Sequence, residues 1–395
     1  MRPLRLSHFA IVTSLGAGLD PTLAALRSGT SGLRAREFEG DLATWVGEIP
    51  ELDNLRLENE LAAFDCRNNR LAMFALAQDG FGAAVDAARE RYGAARIGVF
   101  LGTSTSGIQQ TENAYRRRHA ETGALPADYH YAETHNPFSL ARLIARALRL
   151  EGPAIVVSAA CATTAKAFGN AARMMAAGFC DAAIVGGADT LCATTLYGFR
   201  SLGLTAQGPC RPYDAARDGI SIGEAAGFAL VEKAEANGRT SDVMLLGLGE
   251  SSDAYHMSTP DPDGVGARLA MERALASAGL SAAEIDYINL HGTATLVGDA
   301  AEDRAISGLF GTATPCSSTK GFTGHTLGAA GIVETIISAL ALRHGLVPGS
   351  PHTRALDPSL RSRYAVTGAP AALSRVMSNS FGFGGSNCSL ILGHA

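Results

Sequence analysis

The sequence predicts an α/β protein in which β-sheets are buried between layers of helices. Strand-like apolar runs alternate along the chain with long alanine-rich stretches of helical character. The strand-like runs lack a strict alternation of apolar and polar residues, as expected where helices cover both faces of a sheet. With 395 residues, 47% of them hydrophobic, the chain is long enough to bury a large core.

The predicted elements follow one another in this alternating order. The predicted strands are RIGVFLGTS (96–104), PAIVVSAA (153–160), DAAIVGGAD (181–189), AAGFALVE (225–232), VMLLGLGES (243–251), YINLHGTAT (287–295) and SNCSLILG (386–393). The predicted helices are RLAMFALAQDGFGAAVDAARERYG (70–93), SLARLIARALRL (139–150), TAKAFGNAARMMAAG (164–178) and GARLAMERALASAG (266–279). Strands joined by helices in this way predict a layered body.

Two features suggest that the chain has two halves. The polar stretch EKAEANGRTSD (232–242) separates two strand-like runs and is the best candidate for a boundary. In addition, VFLGTSTSG (99–107) weakly resembles INLHGTATLVG (288–298), which suggests a repeat.

Charge and cysteine content exclude several classes of protein. The formal net charge is −5, and there is no long basic tract beyond Arg116–Arg118, so we expect no nucleic-acid partner. We also expect no membrane-spanning run of roughly 18 residues and no cleavable leader, which predicts a cytoplasmic protein. The seven cysteines are scattered and form no CxxC pair, so neither a disulfide framework nor a structural zinc site is expected.

One cysteine has a distinctive setting. Cys161 follows the predicted strand 153–160 and begins a helix of small residues. The free N–H groups and the dipole at a helix start favour negative charge, so we expect a lowered thiol pKa and a stabilised oxyanion at this position. The alternative from this stretch alone is a buried structural cysteine in an alanine-rich core helix.

Two histidines are candidate partners for this thiol. His291 ends a predicted strand, while Lys320 and His325 lie in a glycine-rich turn before another small-residue helix. Histidine is well suited to donate a hydrogen bond or exchange a proton near neutral pH. Each histidine alone is more often structural, but together with Cys161 they indicate a catalytic site.

Four blocks carry a resemblance to a known family. SAACATTAKAFGNA (158–171), NLHGTATLVGD (289–299), STKGFTGHTLGAAG (318–331) and MSNSFGFGGSNCSLIL (377–392) resemble the signature blocks of the β-ketoacyl-acyl carrier protein synthases of the elongating branch. The resemblance implies a thiolase-like fold with five α/β/α/β/α layers, made of two similar halves. Residues 1–240 would form the half that carries the nucleophile, and residues 241–395 the half that carries both catalytic histidines.

The resemblance also implies a reaction and its main residues. Cys161 would take an acyl chain from the phosphopantetheine of an acyl carrier protein. His291 and His325 would stabilise the enolate formed when malonyl-carrier protein loses carbon dioxide, and the carbanion would then attack the acyl thioester. The N–H groups of Cys161 and Phe383 would form the oxyanion hole, and the Phe383 side chain would act as a gate.

Further site residues follow from the same resemblance. Lys320 and Glu302 would form a buried pair that supports the histidines, and Thr293 and Thr295 would bind the pantetheine arm. A histidine at position 325 distinguishes the elongating branch from starter-condensing enzymes. Thiolases carry a second catalytic cysteine near the C-terminus, whereas Cys388 lies within a strand pattern and is expected to be structural.

The implied partners are an acyl carrier protein and a second subunit of the same fold. The dimer would be a homodimer or a heterodimer with a chain-length-factor-like subunit. Because carrier proteins are acidic, the docking surface should be locally basic, with Arg67, Arg70 and Arg200 as candidates. No metal, nucleotide or flavin is implied.

The pathway and two other functions stay open. The stretches 129–150 and 187–202 resemble ketosynthases of aryl-polyene and pigment pathways more than those of ordinary fatty-acid synthesis. The chain could also be an inert chain-length-factor-like subunit or a thioester hydrolase. Loss of the nucleophile is usual in the inert subunit, and a hydrolase needs no second histidine, so Cys161 with both histidines argues against each.

Overall fold

The computed structural model describes residues 1–38, 42–234 and 242–394. The strands in this part of the chain are β1 (Leu4–Thr13), β2 (Gly16–Ala17), β3 (Arg34–Phe38), β4 (Leu42–Gly47), β5 (Ile97–Gly102), β6 (Ala154–Val157), β7 (Ala182–Asp189), β8 (Ile222–Gly223), β9 (Ala225–Lys233), β10 (Val243–Ser252), β11 (Tyr287–Asn289), β12 (Pro315–Ser317), β13 (Leu346–Val347), β14 (Arg363–Tyr364), β15 (Ala369–Pro370), β16 (Arg375–Gly382) and β17 (Ser386–His394). Each run predicted as a strand overlaps one of them.

The α-helices of the described residues are α1 (Leu19–Ser28), α2 (Arg67–Leu76), α3 (Phe81–Tyr92), α4 (Ile108–Arg116), α5 (Phe138–Ala147), α6 (Thr163–Ala176), α7 (Ala193–Ser201), α8 (Val265–Ala278), α9 (Leu296–Phe310), α10 (Lys320–Thr323) and α11 (Ala330–His344). The single helix predicted over 70–93 is wrong, because the chain forms α2 and α3 there. Asp79 and Gly80 take left-handed φ values of 56° and 68°, which end the helical path between them.

The strand order shows two halves with one topology. In the first half the neighbours run β6-β5-β7-β9-β1, and in the second half they run β12-β11-β16-β17-β10, with β14 beyond β12. If these five strands of each half are numbered in the order of the chain, both halves have the same spatial order: third, second, fourth, fifth, first. The weakly similar stretches 99–107 and 288–298 both contain the second strand of a half and the turn after it, so the suspected repeat is confirmed.

Helices complete the five expected layers. Helices α6 and α11 contact each other and lie between the two sheets, where their apolar side chains share one core with residues of both halves. Helices α2, α3 and α5 cover the outer face of the first sheet, and α8 covers that of the second. Residues Leu4–Leu6 of β1 pair with Val243–Leu245 of β10, which joins the two sheets along one edge.

Helix α11 and the turn before it correct the expectation that the chain has no membrane-spanning run of roughly 18 residues. Residues Leu327–His344 have the length and the mean hydropathy, 1.3, of a segment able to cross a membrane. However, 89% of this segment is buried inside the protein. It is therefore a core helix of the layered body.

The boundary between the halves falls where no structure is described. β9 ends at Lys233 and β10 begins at Val243, while residues 235–241 lie outside the described residues. The predicted boundary stretch 232–242 and the division at residues 240 and 241 fall largely on this segment.

Candidate active site

A cavity of about 290 Å³ lies between the two halves and leads from the surface to Cys161. Its floor is formed by Cys161, His291 and His325, and its walls include Phe199 and Phe383. The cysteine and the two histidines lie in the three connections that follow β6, β11 and β12. The sheet topology therefore brings the predicted catalytic residues together.

Cys161 lies in a tight turn between β6 and α6. Ala160, just before it, has φ 47°, a left-handed conformation that is strained for a residue with a side chain. The Thr163 hydroxyl holds this turn, because it donates to the carbonyl of Ala160 and accepts from the N–H of Ala159. Gly382 packs so closely that a Cβ there would lie 3.0 Å from the Cys161 nitrogen. Both features keep the thiol at the floor of the cavity.

His291 is positioned by a buried carboxylate. Oε1 of Glu302 accepts the N–H of His291 at 2.8 Å, and Oε2 accepts the N–H of Gly292 at 2.7 Å. Burial raises the pKa of Glu302 to about 7, although these two N–H groups oppose the change. Glu302 therefore fixes the backbone that carries the imidazole.

His325 contacts the thiol directly. Its Nε2 lies 2.9 Å from Sγ of Cys161. Its backbone is fixed by β8, since the His325 N–H donates to Ser221 O at 2.7 Å and the Gly223 N–H donates to His325 O at 3.0 Å. The rings of His291 and His325 meet edge to face with centroids 5.4 Å apart.

Hydrogen bonding and burial fix the protonation of both rings. Burial lowers the pKa of each histidine well below its usual value, and the Lys320 charge adds to this effect. The rings are therefore neutral near pH 7. The Lys320 ammonium lies 3.4 Å from Nδ1 of His291, so that nitrogen is the acceptor and Nε2 carries the proton. Nδ1 of His325 has no hydrogen-bond partner among the described residues, which also favours a proton on Nε2.

The expected fall in the thiol pKa is wrong for this structure. Burial raises the pKa of Cys161 to about 11, while the Lys320 charge and the N–H of Phe383 oppose the rise. Desolvation outweighs the helix start because α6 begins only at Thr163, two residues after the sulfur. The resting group is a thiol.

The expected pair of Lys320 with Glu302 is also wrong. Lys320 instead forms a buried ion pair with Glu334 of α11, and its ammonium also donates to the carbonyl of His291. Glu334 is the only charged residue in GIVETIISALAL (331–342), and that isolated acid is the signal in the sequence. Lys320 therefore links α11 to His291, whereas Glu302 serves the backbone of His291.

Phe383, Thr293 and Thr295 all line the cavity, and the backbone N–H of Phe383 faces the sulfur of Cys161. The Phe383 ring packs on Phe199 at 5.7 Å. The two threonine hydroxyls lie 3.0 Å apart, and Thr295 also caps α9 by accepting the N–H of Gly298.

Two of the three proposed docking arginines are not available as a free basic surface. Arg67 is largely buried and forms ion pairs with Glu224 and Asp53. Arg70 pairs with Asp65. Arg200 is exposed at the end of α7, next to the cavity residue Phe199, and forms no ion pair with any described residue. Of the three arginines, only Arg200 is exposed and without an ion pair among the described residues, as a docking residue should be.

The same cluster offers three potential metal ligands. Sγ of Cys161 and one nitrogen of each histidine lie within 4.8 Å of one another, and a thiolate with two imidazoles is a donor set for zinc. The Lys320 ammonium beside His291 opposes a cation at this position. Cys388 lies in β17, fully buried and apart from the cavity lining, in agreement with a structural role.

Family models match most of the chain. The model described as "Beta-ketoacyl synthase, N-terminal domain" matches residues 70–237, and the one described as "Beta-ketoacyl synthase, C-terminal domain" matches residues 243–354.

Curated relatives have the same description. The 3-oxoacyl-[acyl-carrier-protein] synthase 2 of Coxiella burnetii is 32% identical over 99% of this chain and 98% of its own length. The synthase 2 of Vibrio cholerae is 37% identical over 75% of this chain and 76% of its length. The mitochondrial 3-oxoacyl-[acyl-carrier-protein] synthase of Arabidopsis thaliana is 42% identical, but the match spans 61% of this chain and 56% of that relative.

Solved structures agree in fold over the whole chain. A ketosynthase (ApeO) in complex with its chain length factor (ApeC) from Xenorhabdus doucetiae has a TM-score of 0.89 and 39% identity, covering 100% of this chain and 98% of that one. The ishigamide ketosynthase/chain length factor has a TM-score of 0.89 and 28% identity, covering 100% and 99%.

Proposed function

The chain belongs to the β-ketoacyl synthase family, and on that premise we propose that Cys161, His291 and His325 carry out its decarboxylative condensation. The activity is that of a 3-oxoacyl-[acyl-carrier-protein] synthase, an acyltransferase of fatty-acid or polyketide biosynthesis. The observation that carries the residue assignment is the meeting of one thiol and two neutral imidazoles at the end of one cavity.

The first step loads the enzyme. The sulfur of Cys161 attacks the carbonyl of an acyl thioester, the thiol proton passes to the departing pantetheine sulfur, and an acyl-cysteine forms. The oxyanion of the tetrahedral intermediate is stabilised by the N–H groups of Cys161 and Phe383. This step leaves the acyl chain covalently bound while the first carrier protein departs, so ping-pong kinetics follow.

The second step makes the nucleophile. The bond between the malonyl Cα and its carboxylate breaks, carbon dioxide leaves, and the electron pair forms an enolate on the thioester oxygen. Nε2 of His325 lies 2.9 Å from the Cys161 sulfur, and one nitrogen of His291 lies within 4.8 Å of both atoms, so the two Nε2–H groups are the proposed donors to that oxygen. Neutral donors suit this step because they bind the developing charge without giving up a proton.

The third step joins the chains. The enolate carbon attacks the acyl carbonyl on Cys161, the cysteine sulfur leaves, and a 3-oxoacyl thioester two carbons longer stays on the carrier protein. The departing thiolate takes up a proton and restores the resting thiol. The chemistry needs no cofactor, and the substrates arrive on the pantetheine arm, for which Thr293 and Thr295 are the proposed hydrogen-bond partners in the cavity wall.

We propose that the working unit is a dimer, with a chain-length-factor-like subunit as the favoured partner and a second copy of this chain as the alternative. Strand β6 forms the end of the sheet, pairs only with β5 among the described strands, and is apolar yet partly exposed. Phe138, at the start of the adjacent helix α5, is 50% exposed. The full-length likeness to a ketosynthase bound to its chain length factor supports this partner.

We also propose which acyl chain the enzyme elongates and where in the cell it acts. The stretches 129–150 and 187–202 support a polyunsaturated acyl chain of the aryl-polyene type over a saturated fatty chain. The carrier protein would approach the cavity mouth near Arg200. We place the protein in the cytoplasm, with no membrane or nucleic-acid partner.

A condensation assay tests the proposal. The protein, alone and with a co-expressed chain-length-factor-like subunit, is mixed with malonyl-carrier protein and with either a saturated or a polyunsaturated acyl-carrier protein. The expected product is a 3-oxoacyl-carrier protein two carbons longer, formed faster from the polyunsaturated chain. Release of free acid from every acyl-carrier protein would indicate a hydrolase, and the absence of any reaction would indicate an inert subunit.

A further inference from the structure

We propose that Asp189 and Thr164 are positioning residues of the condensation: they fix the turn that follows His325 and so hold its imidazole against Cys161. This inference rests on the proposed function of Cys161 and His325. Neither Asp189 nor Thr164 lines the cavity, and both belong to the first half of the chain, whereas the turn belongs to the second. Asp189 and Thr164 therefore set the position of the His325 ring, from the second half, relative to the Cys161 sulfur, from the first.

The turn, residues Leu327–Ala329, needs support from outside. Leu327 has φ 53°, a left-handed conformation that is strained for a residue with a branched side chain. Gly328 packs so closely against the first half that a Cβ on this residue would lie 2.6 Å from Ser104 Oγ and 2.8 Å from Asp189 Oδ2. Such a turn persists where neighbouring groups over-determine it. It also connects His325 to α11, the helix that supplies Glu334 to Lys320.

Asp189 holds one side of the turn. It ends β7 and is fully buried. Oδ2 accepts the N–H of Ala329 at 3.0 Å. Oδ1 accepts four further hydrogen bonds from the turn after β5, two from the N–H groups of Ser104 and Thr105 and two from the hydroxyls of Thr103 and Thr105. The carboxylate thus joins the loop after the second strand of the first half to the loop that carries His325.

Thr164 holds the other side. It lies on α6, three residues after Cys161, and is also fully buried. Its hydroxyl donates to Gly328 O at 2.7 Å and accepts the N–H of Ile332 at 2.9 Å. One hydroxyl therefore ties the helix of the nucleophile to the turn after His325.

Together these contacts explain why the sulfur and Nε2 lie at hydrogen-bond distance. The chain before the turn is fixed by β8, through the backbone bonds of His325 to Ser221 and Gly223. The chain after it is fixed by Asp189 and Thr164. With both sides held, the direction of the His325 side chain is determined relative to α6. Misplacement of a catalytic group by about 1 Å can cost on the order of 100-fold in rate.

The test compares Thr164→Val, which keeps the shape and loses the hydroxyl, with Thr164→Ser, which keeps the hydroxyl. Asp189→Asn is the second probe. Thr22→Val is the matched control, because Thr22 is also fully buried and its hydroxyl donates to a backbone carbonyl, that of Gly18 at 2.9 Å, away from the turn. The readouts are kcat and KM for malonyl-carrier protein, the rate of Cys161 alkylation by iodoacetamide, and the melting temperature.

We expect Thr164→Val and Asp189→Asn to lower kcat by about 10- to 100-fold with little change in KM. Alkylation should slow about tenfold in both, since the thiolate loses its Nε2–H donor. Thr164→Ser and Thr22→Val should stay near wild type in both rates, and the double variant Asp189→Asn/Thr164→Val should lose less than the product of the single losses.

Wild-type rates in Thr164→Val, or an equal loss in Thr22→Val, would overturn the proposal. Thr164→Val decides the matter if Asp189→Asn does not fold. Failure of the wild type to condense any substrate would contradict the proposed function, whereas the alkylation rates would still test the positioning role separately.

Discussion

Nε2 of His325 lies 2.9 Å from Sγ of Cys161, although 164 residues separate the two along the chain. Each residue follows the third strand of its half, β6 for Cys161 and β12 for His325. The repeated strand order therefore turns two equivalent loops toward one another. One loop carries the proposed nucleophile and the other carries its proposed hydrogen-bond donor, so the cavity exists only where both halves meet.

Removing either histidine should impair decarboxylation more than acyl transfer. His291→Ala and His325→Ala each remove one Nε2–H donor to the enolate, and loss of one such donor costs about 100- to 1,000-fold. The measurement is carbon dioxide release from malonyl-carrier protein, with acylation of Cys161 followed in parallel. His256→Ala is the control, since this exposed histidine lies at the cavity mouth. Equal losses in His256→Ala and the two active-site variants would contradict the assignment.

Both active-site imidazoles should stay neutral at pH 6.5. The pKa of both histidines is lowered by burial and by the Lys320 charge, so the rings remain neutral at a pH where an exposed histidine is half protonated. A lowered pKa moves loss of the neutral form to more acidic pH. The ring signals of His291 and His325, followed by NMR, should therefore show no titration between pH 7.5 and 6.5, whereas Glu302, with a pKa of about 7, titrates in that range. A titration of either ring centred at pH 6.5 would show that it behaves like an exposed histidine.

Lys320 should depend on Glu334 for its charge balance. Glu334→Ala leaves the ammonium buried without its partner, which should lower the free energy of unfolding by about 3–5 kcal/mol. The double variant Lys320→Met/Glu334→Leu should recover much of this stability and remain slow in decarboxylation, because the support of His291 is lost. Chemical denaturation and carbon dioxide release measure the two effects. Full stability of Glu334→Ala would show that the pair is not formed.

Arg200 should contribute to carrier-protein binding, whereas Arg70 should not. Arg200 is exposed beside the cavity, so Arg200→Glu should raise KM for an acidic carrier protein several-fold and leave kcat nearly unchanged. Arg2→Glu is a matched charge reversal, since the N-terminus lies against Ser277 at the end of α8 away from the cavity. Equal KM values for the two variants would exclude Arg200 from docking.

Much of the fold and the centre of the site could be predicted from the sequence. Buried strands appear as apolar runs, and turns with glycine and small residues mark where Cys161, His291 and His325 had to lie. The four family blocks predict roles for these residues, which composition alone leaves open. The break between α2 and α3 was missed because Asp79 and Gly80 stand inside a pattern that is otherwise helical.

Pairings across the fold could not be predicted in the same way. Lys320 has Glu302 and Glu334 on either side in sequence, and only the packing of α11 between the sheets brings Glu334 to the ammonium. The pKa of Cys161 depends on burial, which a motif does not reveal. The ion pairs of Arg67 and Arg70 could not be predicted either. Arg67 pairs with Glu224, which is distant in sequence, and Arg70 pairs with Asp65, which lies in an irregular segment.

The most direct test of the account is the intact mass of the protein after mixing with an acyl-carrier protein, followed by addition of malonyl-carrier protein. The account predicts an acyl adduct on the wild type, none on Cys161→Ala, and discharge of the adduct as a 3-oxoacyl product two carbons longer. An adduct that survives in Cys161→Ala, or one that is lost only to water, would contradict it.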